Sequence, residues 1–272
     1  MRNLPRGDGP AAGAGRAKAG LAMTDLLDFL ERVNAAETIE EAWTPLVAAM
    51  GALGFDRLIY GFTRFRTPNS FGDPDDILIL TNHDRAYTDR FIGEKLYAHA
   101  PMVRWSAENT GACSWRWIQD HREHLTEEEL KVAEFNKRMG VTAGYSISFP
   151  AFSSRAKGAM ALTARAGMDQ DAADAVWRSH GRALHQMATV AHLKITTLPY
   201  GGSRRRLTDR QREALEWVGD GKTTQDIATI MGLTPATVEK HLRLAREALD
   251  VETSAQAVLK ASFQNQIFSF RG

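Results

Sequence analysis

The stretch Asp226–Leu242, "DIATIMGLTPATVEKHL", holds two helical fragments broken by a single glycine and a Thr-Pro pair. A helix that stops at Gly232 and resumes after two residues must turn sharply, and the residues around the break suit such a turn. Ala228, four residues before Gly232, is small enough for a second helix to pack across it. Gly232 tolerates the positive φ of a tight turn, and Val238, six residues on, offers the apolar contact that locks the helices together. Thr234 is a good N-cap, and Pro235 fits the first helical position, where its missing N–H costs nothing. This spacing predicts a helix-turn-helix in preference to an ordinary αα-hairpin. With Val238, Leu242, Ala245 and Leu249 turned inward, the outer face carries Ala236, Lys240, Arg243 and Glu247, flanked by Glu239 and Arg246.

Upstream, "LTDRQREALEW" opens with Thr208 and Gln211 at capping-box spacing, and Gly221 can end that helix in left-handed geometry. Lys222, Thr223 and Thr224 then stand at the N-terminus of the next helix as a clamp for a backbone phosphate. Lys240 and Arg246 suit phosphate contacts, whereas the planar fork of Arg243 matches guanine O6 and N7. Thr237, on the first turn of the same helix, completes the set of candidate DNA contacts. A charged helix face by itself is usually only solvated; the motif is what directs this one to a groove.

The 272 residues are comfortable for two domains, and 43% hydrophobic content is enough to build their cores. No run approaches the ~20 apolar residues of a membrane span, and the N-terminus lacks a compact apolar signal, so a cytoplasmic protein without membrane contact is expected. The single cysteine, Cys113, excludes an internal disulfide framework and a cysteine-rich zinc site, and reads as a buried thiol. Neither metal nor cofactor is implied. Net charge of +1 decides nothing about nucleic acid, because a local basic face hides easily in a neutral total.

Residues 1–22, rich in Gly, Ala, Pro and Arg, are predicted to be disordered, with Met23 as the structural start and a candidate translational one. From 23 to 197 the patterns alternate. Helices are predicted over 24–34, 38–52, 84–97, 126–139 and 169–195, and strands at "RLIYGFTRF", "ILILTN", "GYSISFPAF" and "GAMALTARA". Helices flanking an antiparallel sheet make an α/β (α+β) sandwich. Residues 198–206, "LPYGGSRRR", read as a linker, and 207–272 as a small all-α domain.

The C-terminal segment resembles the DNA-binding domain of LuxR-type transcription regulators: L-T-x-R-x-x-E-x-L-x-W, G-K-T, I-A and T-V-x-x-H-L all fall in register, with Gln211 where Glu is usual. The resemblance implies a four-helix domain whose last helix, about Ser254 to Phe263, pairs two copies on a two-fold symmetric site in double-stranded DNA. It further implies a homodimer working at a promoter with RNA polymerase. Residues 24–195 resemble, less closely, the autoinducer-binding domain of quorum-sensing LuxR proteins, through "NHDRAYTDRF", "HAPMV", "CSW" and "AGYSISFP".

Carried over by position, that resemblance assigns ligand contacts to His83, Tyr87, Phe91, Trp115 and Ser146, with Gly144 on a family glycine. Tyr87 stands where a tryptophan normally meets a lactone carbonyl, and Phe91 where a tyrosine is usual. Ala100 replaces the aspartate that binds the amide N–H of an N-acyl-homoserine lactone. Losing that charge-assisted acceptor costs ~1.5–3 kcal/mol for such a ligand. The signal is therefore either such a lactone or another apolar-tailed molecule, or the N-terminal half only dimerises. An enzyme is the remaining alternative, with Ser146, Ser148 and His83 as loose candidates but no nucleophile elbow or metal spacing around them, so no catalytic residue is assigned.

Overall fold

The computed structural model describes residues 2–3, 23–67, 76–151, 153–200 and 206–268. The chain divides into two compact units, Met1–Thr196 and Thr197–Gly272.

In the first unit, α1 (Met23–Ala35) and α2 (Ile39–Ala52) precede the sheet, and α2 opens with a capping box between Thr38 and Glu41. The strands are β1 (Arg2–Asn3), β2 (Phe55–Thr63), β3 (Leu78–Thr81), β4 (Gly111–Ser114), β5 (Gly144–Ser148) and β6 (Lys157–Ala164). They lie in the order β1-β3-β2-β6-β5-β4, antiparallel except that β1 pairs parallel with β3. The expected disorder of 1–22 thus fails at Arg2–Asn3, which pair with Leu80 and Thr81. An open sheet edge offers unpaired backbone groups to any passing segment. Residues 4–22 lie outside the described residues.

The helix expected over 84–97 is broken into α3 (Arg85–Thr88), a π turn (Asp89–Gly93) and a 3-10 turn (Leu96–His99), with Lys95 between them at φ 60. Three helices follow: α4 (Pro101–Glu108), α5 (Arg116–Asp120) and α6 (Glu127–Arg138). The long α7 (Gln170–Thr197) closes the unit.

Strand alternation divides the sheet's two faces. Leu58 and Tyr60 of β2 are fully buried, and Tyr60 meets His192 of α7, whereas Ile59 and Gly61 line a cavity. The His192 ring is 3% exposed, stacks on Phe149 at 4.1 Å and lies 2.8 Å from the Tyr60 hydroxyl. Burial pulls its pKa down from 6.5 to about 4. Between those values the unfolded chain takes up a proton that the folded chain refuses. Stability should therefore be full above pH 6.5 and fall as the pH drops toward about 4. Urea midpoints across that window should slope less in His192→Gln than in wild type. An equal slope in both would reassign the effect to carboxylates.

The second unit contains α8 (Asp209–Gly219), α9 (Thr224–Met231), α10 (Pro235–Leu249) and α11 (Ser254–Phe263). Its core is Leu215, Ile227, Val238, Leu242, Ala245 and Leu249, with Ala228 at 2% exposure under the helix crossing. Gly232 adopts φ 65 and Gly221 φ 79, the left-handed geometry their positions require. The unit begins earlier than the expected linker. Leu198 and Tyr200 are buried, Tyr200 N–H donates to Gln264 O, and Asn265 Nδ2 donates to the Leu198 carbonyl. Two large apolar side chains at the head of "LPYGGSRRR" dock on this unit; residues 201–205 lie outside the described residues.

Candidate functional site

A cavity of about 460 Å³ lies within the first unit. Its floor is small because β2 and β6 turn Gly61, Ala159 and Ala161 toward it. Its wall is aromatic. Tyr87 stacks on Phe91 at 5.1 Å and 16°, and on Phe135 at 5.6 Å. The Tyr87 hydroxyl donates to Asn136 Oδ1 at 3.0 Å, and burial pushes its pKa above the usual phenol value. Trp115, 9% exposed, donates from Nε1 to Ser146 Oγ at 3.0 Å.

Of the expected ligand residues, Tyr87, Phe91, Trp115 and Ser146 line the cavity, and so does Ala100. His83 is not among the lining residues. Its ring stacks at 4.7 Å on Tyr87, and Nε2 lies 3.3 Å from Thr163 Oγ1. His83 precedes the Asp84 cap of α3, so the four-residue spacing to Tyr87 is not helical spacing. Sequence reasoning missed the polar lining residues Asn136, Arg122, Lys137 and Lys157. Among the described lining residues there is no Asp or Glu. The half-buried Cys113 thiol has its pKa pushed up to about 11 by burial, which keeps it protonated.

In the second unit the cap of α10 is as expected: Thr234 Oγ1 accepts from Thr237 N–H at 3.2 Å, and Pro235 occupies the first turn. Thr237 Oγ1 lies 2.9 Å from Thr234 Oγ1. Lys240 and Arg243 are exposed, and Arg243 pairs with Glu247 one turn on. Arg246 is differently placed. Nη1 donates to Ser254 Oγ at 3.0 Å and Nη2 to Glu239 at 3.2 Å, tying α10 to the start of α11. The Thr223 hydroxyl is also engaged, in a capping box with Asp226. Hydrogen bonds from the Thr223 hydroxyl and N–H hold the Asp226 carboxyl below the usual carboxylate range. That carboxylate already occupies part of the anion position at the α9 N-terminus, beside the exposed Lys222.

An aromatic-walled cavity over an antiparallel sheet, with a capped helix-turn-helix following in the chain, is the two-part arrangement of a DNA-binding transcription regulator. Residues 38–195 match the autoinducer binding domain family, and residues 205–261 match the bacterial regulatory proteins of the luxR family. The chain belongs to the LuxR family and is a DNA-binding transcription regulator with an autoinducer-binding domain. It is 24% identical to the transcriptional activator protein AnoR of Acinetobacter nosocomialis, over 86% of this chain and 95% of that one. It is 26% identical to the quorum sensing-dependent regulator RpaR of Rhodopseudomonas palustris, over 87% and 91% of the two chains. In fold it is similar to SdiA solved with octanoyl-rac-glycerol (TM-score 0.51, 16% identity, 91% of this chain and 97% of that one). These relatives are regulators of transcription, which are not enzymes.

Proposed function

We propose that this regulator senses a small molecule with an apolar body in its cavity and binds, as a cytoplasmic homodimer, a two-fold symmetric DNA site where it acts on RNA polymerase. The observation that carries the ligand reading is the cavity of about 460 Å³ itself. Protein interiors pack densely and voids destabilise them, so a domain that only dimerised would gain by filling this one. Ala100 is the observation that favours the dimer-only alternative, because it removes the acceptor expected for a lactone amide. It removes one polar contact, however, and leaves the aromatic wall intact. Leu259 of α11, 53% exposed, supports pairing through that helix.

Lys240, Arg243, Thr237, Lys222 and Thr224 are assigned to DNA, with Arg246 and Thr223 positioning the helices that carry them. An exposed i,i+4 ion pair is worth only about 0.3–0.5 kcal/mol, so Arg243 leaves Glu247 readily for a guanine contact worth ~1–3 kcal/mol. Arg243→Ala should lose ~1–3 kcal/mol and relax preference at one position of each half-site, whereas Lys240→Ala should weaken all sequences alike. Gel shifts on promoter DNA across a salt series test both, since released counterions make binding weaken steeply with salt. Salt-insensitive binding would sink the DNA assignment, and equal weakening of every sequence by both variants would sink the role of Arg243.

A further inference from the structure

The charge of the cavity is one-sided. Lys157 opens β6 opposite Thr63 of β2, lines the cavity and is 9% exposed. Its Nζ donates to the Asn109 carbonyl at 2.9 Å, just beyond the end of α4. The Ser148 hydroxyl lies 2.7 Å from that carbonyl and 2.8 Å from the Ser106 carbonyl, and its one proton serves one of the two. An ammonium has three donors, and the described residues give Lys157 one acceptor and no carboxylate. Desolvation, then the like charge of Arg66, hold its pKa below the usual lysine value. The other charged lining residues are Arg122 and Lys137, both exposed and both cationic.

A lysine that merely capped α4 would do so from solvent, keeping its ammonium hydrated. Burying one beside an apolar cavity is costly unless an anion completes it. At the other end of α4, Ala100 removes the one carboxylate that would have repelled such an anion. We propose that the ligand is a carboxylate on an alkyl body, with its carboxylate on Lys157 and its body lying over Gly61, Ala159 and Ala161 toward Trp115. This rests on reading the cavity as the ligand site. The cavity of about 460 Å³ has room for a body of medium chain length.

Titration calorimetry and thermal shift on the full chain test it with three probes: decanoate, methyl decanoate and N-decanoyl-homoserine lactone. Wild type should bind decanoate about tenfold or more tighter than the ester, the gain expected of one charge-assisted contact. Lys157→Met should erase that preference while keeping affinity for the ester. Should the variant fail to fold, the acid-to-ester ratio in wild type still decides. Ester or lactone binding as tightly as the acid, or an acid preference that survives in Lys157→Met, would overturn the assignment while leaving the cavity a ligand site. Binding of none of the three would overturn both.

Discussion

Trp115→Ala should abolish the ligand-induced thermal shift and cost roughly 3–5 kcal/mol of stability, the range for truncating a buried large aromatic. Trp115 is 9% exposed, lines the cavity, and is fixed from two sides. Its Nε1 donates to Ser146, and its ring lies against the Gly144 backbone, where a Cβ added to Gly144 would sit 3.1 Å from two ring atoms. Truncation therefore enlarges an existing void, which the surrounding strands cannot collapse to fill, and leaves Ser146 without its donor. Trp115→Phe separates these effects. It keeps a ring on the wall and loses the N–H, so it should cost closer to ~1 kcal/mol, the net value of one hydrogen bond. Urea unfolding measures the stability, and thermal shift with a bound ligand measures the wall. A full ligand shift in Trp115→Ala would remove Trp115 from the site.

How far the sequence reached depends on the range of the forces involved. The helix-turn-helix was legible because its signals are local: Thr234 caps α10, Pro235 starts it, and Gly232 turns the chain, all within four residues of one another. The strands β2 and β6 were legible from alternation, which turns Ile59, Gly61, Ala159 and Ala161 to the cavity and Tyr60 to His192 of α7. The short elements α4, β4 and α5 were missed, because segments of 8, 4 and 5 residues carry too little periodicity and are held by what packs on them. His83 was assigned by the resemblance, position by position, and lies off the cavity lining: its ring stacks on Tyr87 and its Nε2 lies 3.3 Å from Thr163 Oγ1.

Lys157 was invisible for the opposite reason. A lysine at the start of a strand is normally solvated, and nothing local distinguishes this one. Its burial depends on Asn109, 48 residues earlier, closing over it from the end of α4. The aromatic wall was legible by position, but the sign of the charge inside was not. That sign is what separates a site for a neutral lactone from one for an acid, so the most specific property of the pocket is also the least local.

Gly144→Ala should be the most damaging single-methyl change in the sensing unit, with a loss above ~4 kcal/mol, the size that marks a specific structural failure. A Cβ there would lie 2.2 Å from the Leu162 carbonyl oxygen, far inside contact distance. Leu162 belongs to β6 and pairs with the neighbouring Tyr145, so the obstruction is backbone and no rotamer change relieves it. The strand would have to part from β6, and with it the bonds that Gly144 makes through its own N–H and carbonyl to Gln170. The Trp115 ring, 3.1 Å from the same Cβ, is the secondary obstacle. Adding Trp115→Phe to Gly144→Ala would relieve the ring alone, so it should restore little of the lost stability. Because α10 and its core belong to the other unit, the double variant should still melt with a cooperative transition from the DNA-binding helices, seen by far-ultraviolet circular dichroism. Full rescue by Trp115→Phe would instead place the whole cost on the aromatic wall, and the strand pairing at Leu162 would prove tolerant of a methyl group.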